Sequence, residues 1–390
     1  MRLSTAPLCR LALDACAVSG KTHWLFVSIE DSDGRIGWGE ASLQNADAAV
    51  AAALADLADA VLRASPATPG AFAASMKPAS LAEAAAVSAI DQALWDLHAL
   101  HTAMPLSKAL GAARRDRLPV YANINRRTLR RTPEGFAASA RDALAAGFGA
   151  IKIAPFDEVD PTLCARGEGR TAMRAGLERI AAVRAAAGPS IRLMIDCHWR
   201  FDEATAAALI DAAAGLDLYW IECPLPETAA NLGAIARLRN RANAASIRLA
   251  GMEQGIGCAA FQPYCEAGAY DVMMPDVKYV GGLMEMLRVA EMLERHGVAM
   301  SPHNPTGPVA HMASVHVGAV MNSFDMLELQ FDESPLFDAL AHGEVPARDG
   351  GATAVPSLPG LGIRLDSTLL ARHAASARRV WEAANWNLKA

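Results

Sequence analysis

Seven ionisable residues follow short apolar segments that are typical of buried β-strands. They are Lys152, Asp196, Glu222, Glu253, Asp276, His303 and Glu328. A charge beside a buried strand is costly unless it meets a partner, a metal or a substrate. Because helical patterns separate the segments regularly, we expect the seven side chains to share one polar site, as at the carboxyl-terminal mouth of a (β/α)8 barrel. The pattern indicates an enzyme.

Three of these residues are carboxylates that end successive predicted strands. Asp196, Glu222 and Glu253 stand about one βα unit apart. Carboxylates gathered at one mouth repel each other unless a cation neutralises them, and an all-oxygen site suits Mg²⁺, with Mn²⁺ as a substitute. The alternative is that each is a surface acid beside the N-terminus of a following helix. The repeated spacing favours a metal site.

Asp276 and His303 end the next two predicted strands. Neighbouring strand ends can bring a carboxylate to an imidazole, which orients the ring and raises its basicity. We therefore predict that His303 is a general base. The alternative is a histidine in the core whose hydrogen bonds are satisfied. The histidines in helical patterns, such as His98, His101, His311 and His316, are interpreted as structural or surface residues.

Five further segments, together with the seven residues, resemble the enolase superfamily and in particular its mandelate racemase branch. The segments are GWGEAS (37–42), AIDQALWDL (89–97), LPVYANIN (118–125), VGG (280–282) and PGLGIRLD (359–366). The resemblance covers essentially the whole chain. It implies an α/β fold in which an α+β capping domain closes over a (β/α)7β barrel, a TIM-like barrel.

The resemblance implies a role for each residue of the metal and base sets. Asp196, Glu222 and Glu253 are implied to hold one Mg²⁺ per subunit, which binds the carboxylate of the substrate. His303, oriented by Asp276, is implied to remove the proton α to that carboxylate. A dication stabilises the resulting enediolate more than the ground state, which agrees with the weak acidity of such a carbon.

Two more residues are implied to contact the substrate carboxylate. Lys152 corresponds to the first lysine of the Lys-x-Lys pair of the family and is implied to spread the enediolate charge. Its alternative is an ion pair with a neighbouring barrel carboxylate. Glu328 is implied to lie near the carboxylate and to donate a hydrogen bond if it is protonated, which requires a raised pKa.

The chain departs from the family pattern at Ala154, which stands where racemases have their second lysine. His198 lies two residues beyond Asp196, so strand alternation predicts that it also faces the mouth. In sugar-acid dehydratases of the superfamily a similar histidine is the general acid. We therefore predict a Mg²⁺-dependent dehydratase of an aldonate or aldarate that yields a 2-keto-3-deoxy acid. The alternatives are a racemase or epimerase that uses His198, or a His198 that only contacts substrate or supports Asp196.

Substrate contacts beyond the carboxylate are predicted at three positions. Arg200 could bind a distal hydroxyl or second carboxylate, and its alternative is a surface residue. Asn125 ends the first barrel strand and could contact a polyol, and His23 precedes the first hairpin strand near the expected mobile lid. The insertion 155–170 follows Ala154 and belongs to a loop class that commonly shapes pockets. For Lys278 we expect a structural ion pair.

The elements that must position these residues fall into three predicted parts: an α+β capping domain over 1–118, the barrel over 119–329, and a segment over 330–390 that returns to the capping domain. The first part shows a hairpin at 22–40 and helices at 47–63 and 81–100. Strands and helices then alternate, which indicates a parallel sheet. Predicted helices are 133–146, 168–187, 202–214 and 228–242, and predicted strands are 150–153, 191–196 and 218–222. A last helix is predicted over 366–385.

Composition excludes several other classes of protein. A net charge of −6 leaves no basic patch of the size that nucleic-acid binding needs. Seven cysteines without CxxC spacing indicate reduced thiols and a cytoplasmic protein, and we expect neither a secretory signal nor a membrane span. The expected partner is a small acid sugar, and the family resemblance implies a homo-oligomer, from dimer to octamer.

Two more distant functions are weighed against the dehydratase. One is a lyase that uses Lys152 or Lys278 as a Schiff base, which would tolerate chelators and be trapped by borohydride. The other is a non-catalytic binding protein built on a barrel. A complete set of acid, base and ligands disfavours it, because a pure binder has no need of a histidine held by an aspartate.

Overall fold

The computed structural model describes residues 6–63, 69–343, 345 and 351–383. Its N-terminal part packs an antiparallel sheet against helices. The elements are β1 (Leu8–Ala17), β2 (His23–Asp31), β3 (Ile36–Glu40), α1 (Asp47–Arg63), α2 (Ala71–Ser75), α3 (Leu81–His101) and α4 (Leu106–Leu110). The predicted hairpin and both predicted helices are therefore confirmed.

The close packing of β3 on α3 explains the glycines of the GWGE segment. A Cβ on Gly39 would lie 1.9 Å from Ala89 O, and one on Gly37 would lie 2.1 Å from Ala93 O. Only glycine allows the backbones to approach so closely. The start of α3 is set by Ser80, whose side chain accepts a hydrogen bond from the Glu83 backbone N–H.

The central part alternates parallel strands with helices. The strands are β4 (Arg117–Asn123), β5 (Ala150–Ile153), β6 (Arg192–Asp196), β7 (Leu218–Glu222), β8 (Arg248–Gly251), β9 (Val272–Met273), β10 (Ala299–Met300) and β11 (Leu327–Gln330). The helices are α5 (Pro133–Ala145), α6 (Pro161–Ala165), α7 (Gly169–Ala172), α8 (Arg174–Ala187), α9 (Glu203–Ala213), α10 (Leu232–Ala244), α11 (Gly257–Glu266), α12 (Leu283–Arg295) and α13 (Pro308–Val320). The predicted helix over 168–187 is divided at Met173 between α7 and α8.

The parallel sheet closes on itself. Its strands follow the order β10-β9-β8-β7-β6-β5-β4-β11. Between β10 and β11 the Asp325 N–H donates to Met300 O at 2.8 Å, and Ser301 Oγ donates to Met326 O at 2.7 Å. The predicted (β/α)7β barrel is confirmed.

Aromatic side chains inside the barrel form a floor below its carboxyl-terminal mouth. Tyr121 and Trp220 pack edge to face with ring centroids 5.6 Å apart. Lys152 Nζ lies 5.5 Å from the Tyr121 ring centroid, and Trp220 Nε1 donates to Glu222 Oε2 at 3.0 Å. The packed floor thus supports two of the predicted site residues directly.

The C-terminal segment contains α14 (Leu336–Ala339), β12 (Ala341–Gly343), β13 (Ala352–Ala354), β14 (Ile363–Leu365), α15 (Ser367–Arg372) and β15 (Arg379–Glu382). β13 pairs with β4, and β15 pairs with β1. The prediction of one helix over 366–385 is wrong for the described residues beyond Arg372, and positions 384–385 lie outside the described part of the chain. Val380 and Trp381 favour a strand and pair with Ala12 and Leu11 at the edge of the first sheet.

Among the described residues, no helix has both the length and the apolar character that crossing a membrane requires.

Candidate active site

The structure brings the seven predicted residues to one end of the barrel, but most of them do not end a strand. Asp196 and Glu222 are the last residues of β6 and β7, whereas Lys152 and Glu328 lie inside β5 and β11. The remaining three, which lie beyond the ends of β8, β9 and β10, are Glu253, Asp276 and His303. Prolines precede the last two and end the strand ladder early, since proline has no N–H to donate.

The three predicted metal ligands form a compact acidic group. One oxygen each of Asp196, Glu222 and Glu253 lies within 4.8 Å of the others. All three residues are buried, and within the described chain Glu253 Oε2 accepts no hydrogen bond. A buried oxygen without a donor, in a set made only of carboxylates, fits a hard divalent cation.

Burial determines much of the electrostatics of this group. Burial raises the pKa of Glu222 and of Glu253. Burial also acts to raise the pKa of Asp196, but the charge and hydrogen bonds of His198 outweigh burial and lower this pKa. Two of the three carboxyls therefore retain protons to higher pH than usual unless a cation offsets their burial.

Lys152 and Glu328 form a buried ion pair beside the triad. Lys152 Nζ lies 2.6 Å from Glu222 Oε1 and 3.0 Å from Glu328 Oε1. Asn123 Nδ2 donates to Glu328 Oε1 at 2.6 Å, and the Asn304 N–H donates to Oε2 at 3.0 Å. Burial acts to raise the pKa of Glu328, but Lys152 and these donors lower it below the usual range. This direction is opposite to the raised pKa that Glu328 would need in order to donate a hydrogen bond to the substrate.

His303 and Asp276 make the predicted hydrogen bond, from Nδ1 to Oδ2 at 2.7 Å. Lys278 Nζ also donates to Asp276 Oδ2 at 2.7 Å, which is the expected ion pair. Burial acts to lower the pKa of His303, but the Glu253 charge and the Asp276 hydrogen bond raise it overall. The free ring nitrogen, Nε2, lies 3.4 Å from Glu253 Oε2. This nitrogen is placed to accept a proton beside the triad.

His198 lines the mouth, but not through strand alternation. β6 ends at Asp196, and His198 has a left-handed backbone with φ 48°. Its Nε2 lies 2.8 Å from Asp196 Oδ2, and the charge of Asp196 raises the pKa of His198 to about 9 although burial opposes this. The carboxylate of Asp196 thus favours the protonated form of His198, whose side chain lines the cavity.

The cavity has a volume of about 1680 Å³ and includes the three predicted substrate contacts in its wall. Arg200 donates to Val159 O at 2.9 Å, and His23 Nδ1 lies 2.6 Å from Asp47 Oδ2. Asn125 lies two residues beyond the end of β4, and its Oδ1 accepts from Arg131 at 2.6 Å. His23 is the first residue of β2 rather than a residue before it.

Two arginines hold the start of the 155–170 insertion against the barrel. Arg131 lies 2.7 Å from Asp157 and donates to Ala154 O at 2.6 Å. Arg179 lies 2.6 Å from Glu158. The start of the insertion is therefore held in the cavity wall, and Ala154 adds only a methyl group where the racemase pattern has a lysine.

Sequence reasoning missed three residues that support the site. Asn123 and Asn304 contact Glu328 as described above. Glu40, at the end of β3, accepts from Thr306 Oγ1 at 2.6 Å, from the Gly307 N–H at 2.7 Å and from the Ala310 N–H at 2.9 Å. It thereby fixes the loop that follows His303. The sequence could have indicated Asn123, because it is a polar residue at the end of a strand. It could not have indicated Glu40, because its hydrogen-bond partners are too distant in the chain to be recognised from sequence.

Comparison with known proteins places two family models on the chain. Residues 9–111 match the mandelate racemase / muconate lactonizing enzyme N-terminal domain, and residues 135–369 match the enolase C-terminal domain-like family. The second match alone spans more than half of the chain.

Curated relatives and solved structures agree with these matches. The chain is 29% identical over 365 residues to a D-galactonate dehydratase of Ralstonia nicotianae, covering 91% of this chain and 92% of that protein. It is 31% identical over 301 residues to a D-gluconate dehydratase of Thermoproteus tenax, covering 77% and 58%. A mandelate racemase/muconate lactonizing enzyme from a Jannaschia species superposes with a TM-score of 0.83 at 25% identity, covering 96% and 99%.

Proposed function

We propose, since this chain belongs to the mandelate racemase branch of the enolase superfamily, that it is a hydro-lyase that dehydrates a sugar acid. The substrate would be an aldonate or aldarate and the product a 2-keto-3-deoxy acid. One observation carries the proposal: Asp196 and Glu253 of the acidic triad line the same cavity as His303, which Asp276 orients, and Ala154 stands there in place of the second base. Relatives named D-galactonate and D-gluconate dehydratase support it.

Asp196, Glu222 and Glu253 would hold the divalent cation, for which we propose Mg²⁺. When bound, such an ion would supply positive charge to the substrate carboxylate and lower the barrier to forming negative charge beside it. Lys152 would add a fixed cation on the same side, because its own pKa is raised by the charges of Glu222 and Glu328 although burial opposes this.

His303 would begin the reaction. Its Nε2 accepts the proton from the carbon α to the carboxylate, while Asp276 holds Nδ1 and stabilises the imidazolium. The electron pair of the broken C–H bond moves into the enediolate. Asn123 and Asn304 keep Glu328 ionised and fixed, so this carboxylate would position Lys152 rather than donate to the substrate.

His198 would complete the elimination as general acid. Its raised pKa keeps it protonated, and it faces the same cavity as His303. The enediolate electrons form the C=C bond, the bond from the β-carbon to oxygen breaks, and His198 gives its proton to the departing hydroxide to make water. The enol product then becomes the 2-keto-3-deoxy acid.

The test is a screen of aldonic and aldaric acids with Mg²⁺, read out as keto-acid formation. We expect turnover of at least one acid sugar, and loss of it in His303→Asn and with chelator. Full activity in His303→Asn would contradict the mechanism.

The second candidate is an epimerase in which His198 serves the opposite face of the α-carbon. The presence of His198 in the cavity wall favours an epimerase over a Schiff-base lyase or a binding protein. Solvent deuterium in recovered substrate, without keto acid, would identify this reaction.

A Schiff-base lyase and a pure binding protein fit less well. The charges around Lys152 raise its pKa, so its amine stays protonated and is a poor nucleophile. A binder would take up metal or acid without turnover. Cytoplasmic location and a homo-oligomeric state stay predictions.

A further inference from the structure

Four residues beside the acidic triad have a left-handed backbone, which residues other than glycine rarely adopt. They are His198 (φ 48°), Trp199 (φ 57°), Cys223 (φ 46°) and Met252 (φ 70°). Each lies within three residues of a triad carboxylate in the chain, so these bends decide where the carboxylates point. Such conformations persist only where the surroundings hold them.

Main-chain hydrogen bonds hold part of this arrangement. The Trp199 N–H donates to Cys223 O at 2.7 Å, and the Cys223 N–H donates to Ala250 O at 2.9 Å. The Met252 N–H donates instead to a side chain, Glu227 Oε1. The bend immediately before Glu253 therefore depends on Glu227.

Glu227 contacts the left-handed residues Trp199, Cys223 and Met252. Its Oε1 also accepts from Tyr270 OH at 3.0 Å, and Cys223 Sγ lies 3.8 Å away. Burial raises the pKa of Glu227, and a hydrogen bond from the Trp199 side chain lowers it. A Cβ on Gly251 would lie 2.5 Å from Glu227 Oε1, so glycine leaves the room that this carboxylate needs.

Glu227 acts through other residues rather than by its own chemistry. In the described part of the chain, it belongs neither to the acidic group that could hold a cation nor to the cavity wall. Its carboxylate contacts residues that flank the ligands in the chain.

We propose that Glu227 is a positioning residue that fixes the ends of β6, β7 and β8, and thereby the spacing of the acidic triad. The inference rests on the proposed function, since it assumes that the triad binds a cation. Supporting residues behind metal ligands commonly affect metal affinity about 10–100-fold when they are replaced.

The test measures binding of Mn²⁺ alone to the full chain, by the electron paramagnetic resonance signal of free Mn²⁺. Glu227→Asp keeps the charge but is one methylene too short to reach the Met252 N–H, so we expect about tenfold weaker binding. Glu227→Gln keeps the length and an oxygen acceptor but loses the charge, so we expect an affinity close to wild type. Glu227→Ala should bind Mn²⁺ most weakly. If this variant does not fold, the comparison of Glu227→Asp with Glu227→Gln still tests the inference.

The matched control is Asp271→Ala. Asp271 also accepts a backbone N–H, from Leu249 at 2.8 Å, but at the opposite end of β8. We expect it to lower the melting temperature without changing Mn²⁺ affinity. Wild-type affinity in Glu227→Asp, or a loss in Glu227→Gln with none in Glu227→Asp, would overturn the inference. Failure of the wild-type protein itself to bind Mn²⁺ would instead contradict the proposed metal site.

Discussion

At the scale of residues, the buried acids of the site differ in what balances them. Glu222 and Glu328 share Lys152, with Nζ–O distances of 2.6 and 3.0 Å. Asp196 and Glu253 have a histidine nitrogen as their ion-pair partner, at 2.8 and 3.4 Å. A histidine carries charge only when it is protonated. The charge at the triad therefore depends on pH and on a bound cation.

The pH profile of the reaction should report His303. The base must be neutral, and its pKa is raised above the usual 6.5, so kcat/KM should fall as the pH drops through this raised value. Asp276→Asn removes a contact that raises the pKa, so the acidic limb should move to lower pH while kcat falls by about 10²–10⁴-fold. Steady-state kinetics from pH 5 to 9 measure both effects.

A second His–Asp pair in the cavity wall provides the control for this profile. His23 and Asp47 are also hydrogen-bonded, but they are exposed and lie on the capping side. Asp47→Asn should leave the acidic limb in place. A limb that moves equally in both variants would refute the assignment of His303 as the base.

Metal binding should release protons. Because burial raises the pKa of Glu222 and Glu253, these carboxyls lose their protons at higher pH than usual, and a cation competes with those protons. Affinity for Mg²⁺ should therefore increase with pH. Calorimetry in two buffers of different ionisation enthalpy counts the protons released, and the count should fall in Glu253→Gln. An affinity independent of pH, without proton release, would contradict this account.

At the scale of elements, close packing and short strands place the site residues. Only two residues remain in β9 and in β10, since Pro275 and Pro302 follow. Asp276 and His303 consequently lie on loops. Glu40 of the capping domain accepts hydrogen bonds from the start of α13 and so holds the loop that carries His303.

The contact of β3 with α3 should tolerate no side chain at Gly39. In Gly39→Ala the new Cβ would meet Ala89 O at 1.9 Å, so one element must shift. We expect a loss of about 3 kcal/mol in the free energy of unfolding, at the upper end for overpacking. Chemical denaturation measures it. Gly215→Ala is the control, because nothing lies within 4 Å of its Cβ; a similar loss there would argue against close approach as the cause.

At the scale of the whole molecule, the capping part and the barrel meet around the cavity. Thr22 Oγ1, in the turn between β1 and β2, donates to Glu333 Oε1 at 2.6 Å. Arg126, in the loop after β4, donates to Glu333 Oε2 at 3.0 Å. Glu333 itself lies just after β11. Its carboxylate therefore links the β1–β2 turn of the capping domain to the barrel loops that follow β4 and β11.

Loss of this link should weaken substrate binding more than chemistry. In Glu333→Ala the β1–β2 turn loses its contact with the barrel, so we expect KM to rise by about tenfold, as loss of a charge-assisted hydrogen bond would give. The kcat should change by less, and Mg²⁺ affinity should stay unchanged. Asp142→Ala is the control, since Asp142 pairs with Arg127 without touching the cap. A rise in KM shared by both variants would contradict a role for the link.

The class of fold, the acidic triad and the His–Asp pair could be predicted from the order of the residues and from the family resemblance. Alternating apolar strands and amphipathic helices specify a barrel because each must bury an apolar face, and ionisable residues at or near the ends of several strands stand out against that pattern. Prediction from local sequence patterns failed where pairing with a distant strand decided the secondary structure. The residues of β15 were predicted to be helical, but they pair with β1.

The charges of the site residues and their supports depend on contacts that form only in the folded protein. The pKa of Glu328 is lowered by Lys152 and Asn304, which are far from it in the chain. The bend at Met252 depends on Glu227, and His198 faces the cavity through a left-handed turn rather than an extended strand. Each of these properties arises from contacts through space within a buried, poorly screened site, and residue order alone does not contain those distances.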